Sequence, residues 1–237
     1  MNDKRERELS RFVLFLGLIG LSFMTPNFAA EADVDANIDG LALLENFVLN
    51  IQTLRGRFEQ SLIDADNQLV EESSGTLEIQ RPGQFRWVYS EPYEQILLAD
   101  GLNVWSYDVD LAQVTVKPQA EVLRNTPAAL LGGSPDALEQ FEYLGSFTDR
   151  GTVWIRLRPK DRQNGFHKIE LGFNDGELTR MLFSDNLEQT TLIALFDVVL
   201  NQDIEADRFQ FNPPQGVDIV GTPATTDESI NIILQEY

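Results

Sequence analysis

A single histidine, no cysteine and 38 carboxylates are what this chain offers for polar chemistry. His167 sits beside the Asn164-Gly165 turn on an expected strand edge. One histidine cannot build a histidine-based metal site, and no patterned nucleophile accompanies it for a triad. Gly132-Gly133-Ser134-Pro135-Asp136 lacks the glycine that a nucleophile elbow needs two residues beyond its serine. No phosphate loop, dinucleotide fingerprint or calcium loop is present. Glu71-Glu72 and Asp64/Asp66 read as solvated hairpin surface rather than as an acid–base pair. Without cysteine, disulfides, thiolate zinc and thiol nucleophiles are excluded. The pattern argues against an enzyme and implies no cofactor and no metal.

What remains is apolar surface with one charge set into it. Phe85, Trp87 and Tyr89 alternate along an extended segment, and Trp105 and Tyr107 repeat the spacing. Strand side chains alternate faces, so the first three rings line one side of a sheet. Arg81 falls on that same side, beside Leu77 and Ile79. A guanidinium among hydrocarbon is costly unless its donors are satisfied, so this arginine is expected to hold something. A plain sheet core explains the rings alone. With few helices available, however, one curved sheet must bury its concave face or fill it with something else.

The elements that position these residues follow from period and punctuation. Leu41, Leu44, Val48 and Ile51 recur at helical spacing behind Asp39, a cap candidate. The pattern then turns strand-like. Expected strands are Arg57–Ile63, Gly75–Arg81, Phe85–Tyr89, Gln95–Ala99, Asn103–Tyr107 and Gln113–Lys117. Beyond an interruption they resume as Glu142–Ser146, Val153–Arg158, Lys168–Phe173, Leu178–Phe183, Thr190–Val199 and Phe209–Phe211. Turns at Asp100-Gly101, Arg150-Gly151, Asn164-Gly165 and Asp175-Gly176 separate them and predict a single antiparallel meander. The interruption, 118–140, reads as two short helices: one from Thr126-Pro127 through Ala128-Ala129-Leu130-Leu131 to Gly132-Gly133, the other from Ser134-Pro135-Asp136 to Gln140. They suit a movable cover over the sheet or fixed plugs at one end of a barrel. Arg156, Arg158 and Lys160 alternate with Ile155 and Leu157 and should face outward, as a solvated row or as a docking surface.

The ends and the charge set the compartment. Lys4, Arg5, Arg7 and Arg11 precede an apolar run from Phe12 to Met24, too short to span a bilayer and of signal-peptide length. Ala30-Glu31-Ala32 supplies a cleavage site after Ala32, or less favourably after Ala30. Residues 1–32 are thus expected to be a cleaved signal peptide and residues 33–237 a single domain. With no cysteine for lipid attachment the mature protein is expected free in the periplasm. The leader holds four basic and four acidic residues, so the mature chain keeps the net charge of −20. Such a surface repels nucleic acid and anionic headgroups. If the protein handles lipid, it does so in a pocket. No repeat or second domain is evident, and the tail to Tyr237 ends in Ile230, Ile232 and Ile233.

Read in order, the motifs resemble the LolA family of periplasmic outer-membrane lipoprotein carriers. They are Phe58-Glu59-Gln60, Gly75, Arg81-Pro82, Phe85-Arg86-Trp87, Pro92, Gln95, Asp100-Gly101, Trp105, Tyr107-Asp108 and Gln113-Val114-Thr115. Thr126-Pro127, Leu157-Arg158-Pro159-Lys160 and Phe209-Gln210-Phe211-Asn212-Pro213-Pro214-Gln215-Gly216-Val217-Asp218 complete the series. The resemblance implies a mainly β (α+β) fold: an unclosed antiparallel half barrel, with an N-terminal helix and short helices forming a lid over a hydrophobic cavity. It implies a carrier that takes triacylated lipoproteins from an inner-membrane ABC release complex to an outer-membrane receptor. The protein is expected to be a monomer. The arginine matching Arg81 would fasten sheet to lid, the aromatic matching Phe85 would lie near the cavity mouth, and the segment matching Thr126 to Leu131 would belong to the lid. Arg81, Phe85, Trp87, Tyr89, Trp105, Leu130 and Leu131 are therefore the expected lipid-binding and gating residues. After Asp218 the resemblance ends. Rival readings are an envelope-stress regulator of related fold that senses lipoproteins, and an acidic periplasmic hydrolase. The pathway's receptor is similar in fold but itself lipidated, which a chain without cysteine cannot be.

Overall fold

The computed structural model describes residues 39–123, 126–133, 137–161 and 165–225. The expected signal peptide, the start of the second short helix at Ser134-Pro135-Asp136 and the end of the tail lie outside the described residues.

Helix α1 (Gly40–Asn50) begins where predicted: the Asp39 carboxylate accepts from Leu41 N and Ala42 N at 3.1 and 3.2 Å. Its buried face is Gly40, Leu44, Phe47 and Val48, whereas Leu41 is exposed and Ile51 already extended. The strands follow as β1 (Thr53–Ile63), β2 (Leu69–Gln80), β3 (Gln84–Glu91), β4 (Gln95–Asp100), β5 (Asn103–Asp108) and β6 (Gln113–Pro118). Helices α2 (Gln119–Val122) and α3 (Pro127–Gly132) and a 3-10 turn at Leu138–Gln140 come next. Then come β7 (Phe141–Asp149), β8 (Thr152–Pro159), β9 (Phe166–Asn174), β10 (Glu177–Asp185), β11 (Thr190–Leu200) and β12 (Asp218–Val220).

All twelve strands form one sheet, ordered β12-β6-β5-β4-β3-β2-β1-β11-β10-β9-β8-β7. The sheet is an unclosed half barrel: β7 and β12 lie at opposite edges. It departs from a single meander in two places. β1 pairs with β11, which joins two meanders, and β12 runs parallel to β6. The expected strand at Phe209–Phe211 is instead a 3-10 turn, Ala206–Phe209, followed by irregular chain. Pro213 and Pro214 lack the N–H groups that would extend a ladder there. Gly75 is required where β2 shifts register against β3, since a Cβ would stand 1.8 Å from Val88 O.

The main core lies on the concave face, where α1 covers β7 and β8 and the Phe47 ring meets Phe173 edge-on at 5.8 Å. A smaller buried group lies on the convex face. There Leu98, Val114 and Val116 are buried, and Phe209 belongs to the stretch after β11 that returns over the outside. Arg208 clamps that stretch to Glu78 of β2 at 2.6 Å, and Asn103 exchanges two hydrogen bonds with Ala224. Among the described residues no helix is long and apolar enough to cross a membrane.

Candidate functional site

Strand pairing builds the site as rows running across the sheet. Leu77, Trp87, Leu97, Ser106 and Thr115 are successive partners from β2 to β6. Ile79, Phe85, Ala99, Val104 and Lys117 form the next row. Both rows begin apolar in the middle of the sheet and turn polar at the β5–β6 side. All of these but Ala99 floor a cavity of about 630 Å³, continued by Phe183 and Ile193 of β10 and β11. Val122, Pro127, Ala128 and Leu131 roof it from the helical segment between β6 and β7. Thr126 precedes α3 as expected, but its hydroxyl donates to Leu123 O at 2.7 Å and does not cap the helix.

Phe85, Trp87 and Tyr89 all line this cavity. Phe58 of β1 supports them from the same face, 4.9 Å from the Trp87 ring and 5.1 Å from Tyr89. The Trp87 indole N–H has no hydrogen-bond partner among the described residues. Tyr89 donates to Gln60 Oε1 at 3.3 Å. Burial, with the charge of Glu71 adding to it, pushes the Tyr89 phenol above its usual range against that hydrogen bond.

Trp105 is a correction. It does not line the cavity: its indole N–H donates to Asp100 Oδ2 at 2.7 Å and its ring stacks on Phe211 at 5.2 Å. Its neighbours Val104 and Ser106 face the cavity instead. Equal spacing of two aromatic sets does not give them the same face, because each strand's parity depends on its register with the next. The Asp100-Gly101 turn held the missed signal. Counting back from it pairs Ala99 with Val104 and Leu97 with Ser106, which turns Trp105 outward.

Arg81 lies in the turn after β2 and is only 8% exposed. It reaches two helices at once. Nε donates to Leu131 O at 3.0 Å and Nη2 to Leu130 O at 3.4 Å. Nη1 donates to Val48 O at 3.0 Å, to Ile51 O at 2.8 Å and to Phe47 O. The guanidinium also stands 4.6 Å from the centre of the Phe47 ring. The last carbonyls of a helix have no partner within it, and α1 has no basic residue in its final turn. Arg81 supplies both donors and charge there. Burial lowers its pKa to about 10, so it stays charged near neutrality.

Two further details depend on this arginine's position. Gly133 ends α3 at φ +61°, and a Cβ there would come within 2.0 Å of Arg81 Cδ. Gly83 N donates to Gly132 O at 2.9 Å, a backbone tie beside the guanidinium. Of the two expected α3 leucines, only Leu131 lines the cavity. Leu130 is buried in the core, and both lend carbonyls to Arg81.

The other candidates lie elsewhere. His167 is exposed, with Nδ1 2.7 Å from Asp185 O. Arg156 and Arg158 face outward as expected, paired with Glu170 at 2.6 Å and Glu142 at 2.8 Å. Among the described residues no group of three histidine or acidic side chains is placed to hold a metal ion.

Residues 49–212 match the family model described as outer membrane lipoprotein carrier protein LolA. An outer-membrane lipoprotein carrier protein of Nitrosospira multiformis is 37% identical over 182 residues, covering 76% of this chain and 88% of that one. The carrier protein of Halorhodospira halophila is 40% identical over 190 residues, covering 80% and 88%. A LolA superfamily structure from Nitrosomonas europaea overlaps with a TM-score of 0.45 at 12% identity, over 72% of this chain and 97% of that one. By the extent of the family match and the identity to these relatives, the chain belongs to the outer-membrane lipoprotein carrier (LolA) family.

Proposed function

We propose that the protein is a non-enzymatic periplasmic chaperone. It accepts triacylated lipoproteins from an inner-membrane ABC release complex, shields their acyl chains in the cavity and delivers them to an outer-membrane receptor. The observation that carries this reading is an apolar cavity whose roof is tied to the sheet through one buried arginine. Three acyl chains with roughly 40 methylenes, at about 0.8 kcal/mol each, cost on the order of 30 kcal/mol to expose to water. They cannot cross the aqueous space unaided. Val122, Pro127, Ala128 and Leu131 lie over this cavity, so loading lifts the segment that carries them as a lid.

Lifting gives up the Arg81 bonds to Leu130 and Leu131 while those to α1 can persist. The latch therefore favours the empty closed form without fastening the cargo. Ser106, Thr115 and Lys117 dilute one wall with polar groups, which weakens lipid retention enough for handover. Phe85, Trp87, Tyr89 and Leu131 supply the apolar contact.

The test is a release assay: mature protein added to spheroplasts that synthesise a tagged lipoprotein. A soluble one-to-one complex that depends on Arg81 and Phe85 is expected. If a competent carrier releases the lipoprotein and this protein does not, the fold serves another task and lipoprotein sensing becomes the leading alternative.

A further inference from the structure

The concave face continues beyond the apolar cavity. Gln60 and Tyr89 line both that cavity and a second cleft of about 450 Å³. The strand rows explain the change in character. One register step away from the lid, Tyr89 pairs with Gln95, and Gln95 with Asp108, so the row is polar throughout. Glu71, Glu91, Glu94 and Asp110 also line the cleft, and among the described residues no lysine, arginine or histidine does. Acidic side chains alone say little in so acidic a chain. Ser73, however, lies among them, paired across the ladder with Gln60 and only 7% exposed, and its hydroxyl has no partner among the described residues. A buried hydroxyl without a partner points to a group that is yet to arrive.

We propose that this cleft binds the peptide segment next to the lipid-bearing residue of the passenger, and prefers segments that carry lysine or arginine. The proposal rests on the carrier reading. A polypeptide whose acyl chains fill the cavity has to leave past the residues that border it. Since the two spaces share Gln60 and Tyr89, the first few residues after the anchor cross the acidic cleft. There the Ser73 hydroxyl meets a peptide N–H or C=O, and the carboxylates meet ammonium or guanidinium groups. An extended chain advances about 3.3 Å per residue, so only the first handful of residues can be read. The passenger's folded domain remains outside.

Two synthetic lipopeptides with the same triacyl anchor test this, one with a tetralysine head and one with a tetraglutamate head. Each is titrated against the mature protein holding a fluorescent fatty acid in the cavity, and displacement is read. The lysine head should bind about tenfold more tightly at low ionic strength, with the difference shrinking as salt is added. Combining Glu71→Gln, Glu91→Gln and Glu94→Gln should bring the difference to about twofold or less, with the melting temperature and the probe's own affinity unchanged. Equal affinities of the two heads for the unaltered protein overturn the proposal, as does a lysine preference that survives the triple substitution. The carrier reading survives either result. If neither lipopeptide displaces the probe, the carrier reading itself fails, and this proposal with it.

Discussion

The concave face of the sheet is solid on one side and hollow on the other. Toward β8–β10, Ile155, Ile169, Leu171, Phe173 and Met181 are each no more than 1% exposed. Toward β3 and β4, Tyr89 and Leu97 are only half-buried and border open volume. Both sides carry the same alternation of inward apolar residues. They differ in their cover. Helix α1 has 11 residues, about 16 Å of rod, and lays Leu44, Phe47 and Val48 into the face beneath it. Helix α3 has six, about 9 Å, and sits at one end of its half, held by Arg81. A sheet face becomes core where a long amphipathic element fills it and becomes a binding cavity where the cover is too short to do so.

The sharpest way to break this contrast is to cut into the solid side. Phe173→Ala should cost about 3–5 kcal/mol in denaturant unfolding, because close packing there leaves a cavity behind. A loss under about 1 kcal/mol would mean that this half is as loose as the other. Arg81→Leu comes next, with an expected loss of about 1–3 kcal/mol. The expectation from sequence, a latch to the lid alone, implies little effect on folding. The structure adds the carbonyls of Phe47 and Val48 in α1 and of its cap residue Ile51, which would lose their donor. The same variant should speed amide exchange in α3 and upset transfer to the receptor. Normal exchange and transfer rates would remove Arg81 from the gating mechanism.

Gly133→Ala should cost about 1–2 kcal/mol, through a positive φ and displacement of the arginine stem. If exchange in α3 stays as slow as before, the contact between Gly133 and Arg81 is not part of the latch. On the hollow side, Leu97→Ala should cost less than about 1 kcal/mol while weakening uptake of a fluorescent fatty acid, since Leu97 already borders open volume. A loss like that of Phe173→Ala would show that the hollow is packed in solution.

The smallest effect expected is none. The folded-state pKa of Arg81, about 10, lies below its ordinary value, so the unfolded chain holds this proton more tightly. Its contribution to stability rises with pH only above about 10 and is flat below. Exchange in α3, corrected for intrinsic rates, should therefore not change between pH 6 and 9. A change in that window would assign lid control to another group.

Much of the sheet was legible because alternation and turn residues are local signals. Asp100-Gly101, Arg150-Gly151 and Asp175-Gly176 each connect consecutive strands. Arg81 stood out for a local reason too, a charge beside Leu77 and Ile79. What stayed hidden depended on pairing between distant segments. The β1–β11 ladder, the parallel β12 and the outward turn of Trp105 toward Phe211 have no signature within a window of ten residues.

The sequence by itself determined strands β1 to β11, the cap at Asp39 and the existence of a buried arginine, because each follows from neighbouring residue types and the backbone's two periodicities. Tertiary structure alone decided which carbonyls that arginine holds, which half of the concave face is filled, and where the hollow turns acidic. Those outcomes depend on register and on the length of covering helices, which bring Arg81 to residues 33 and 50 positions away.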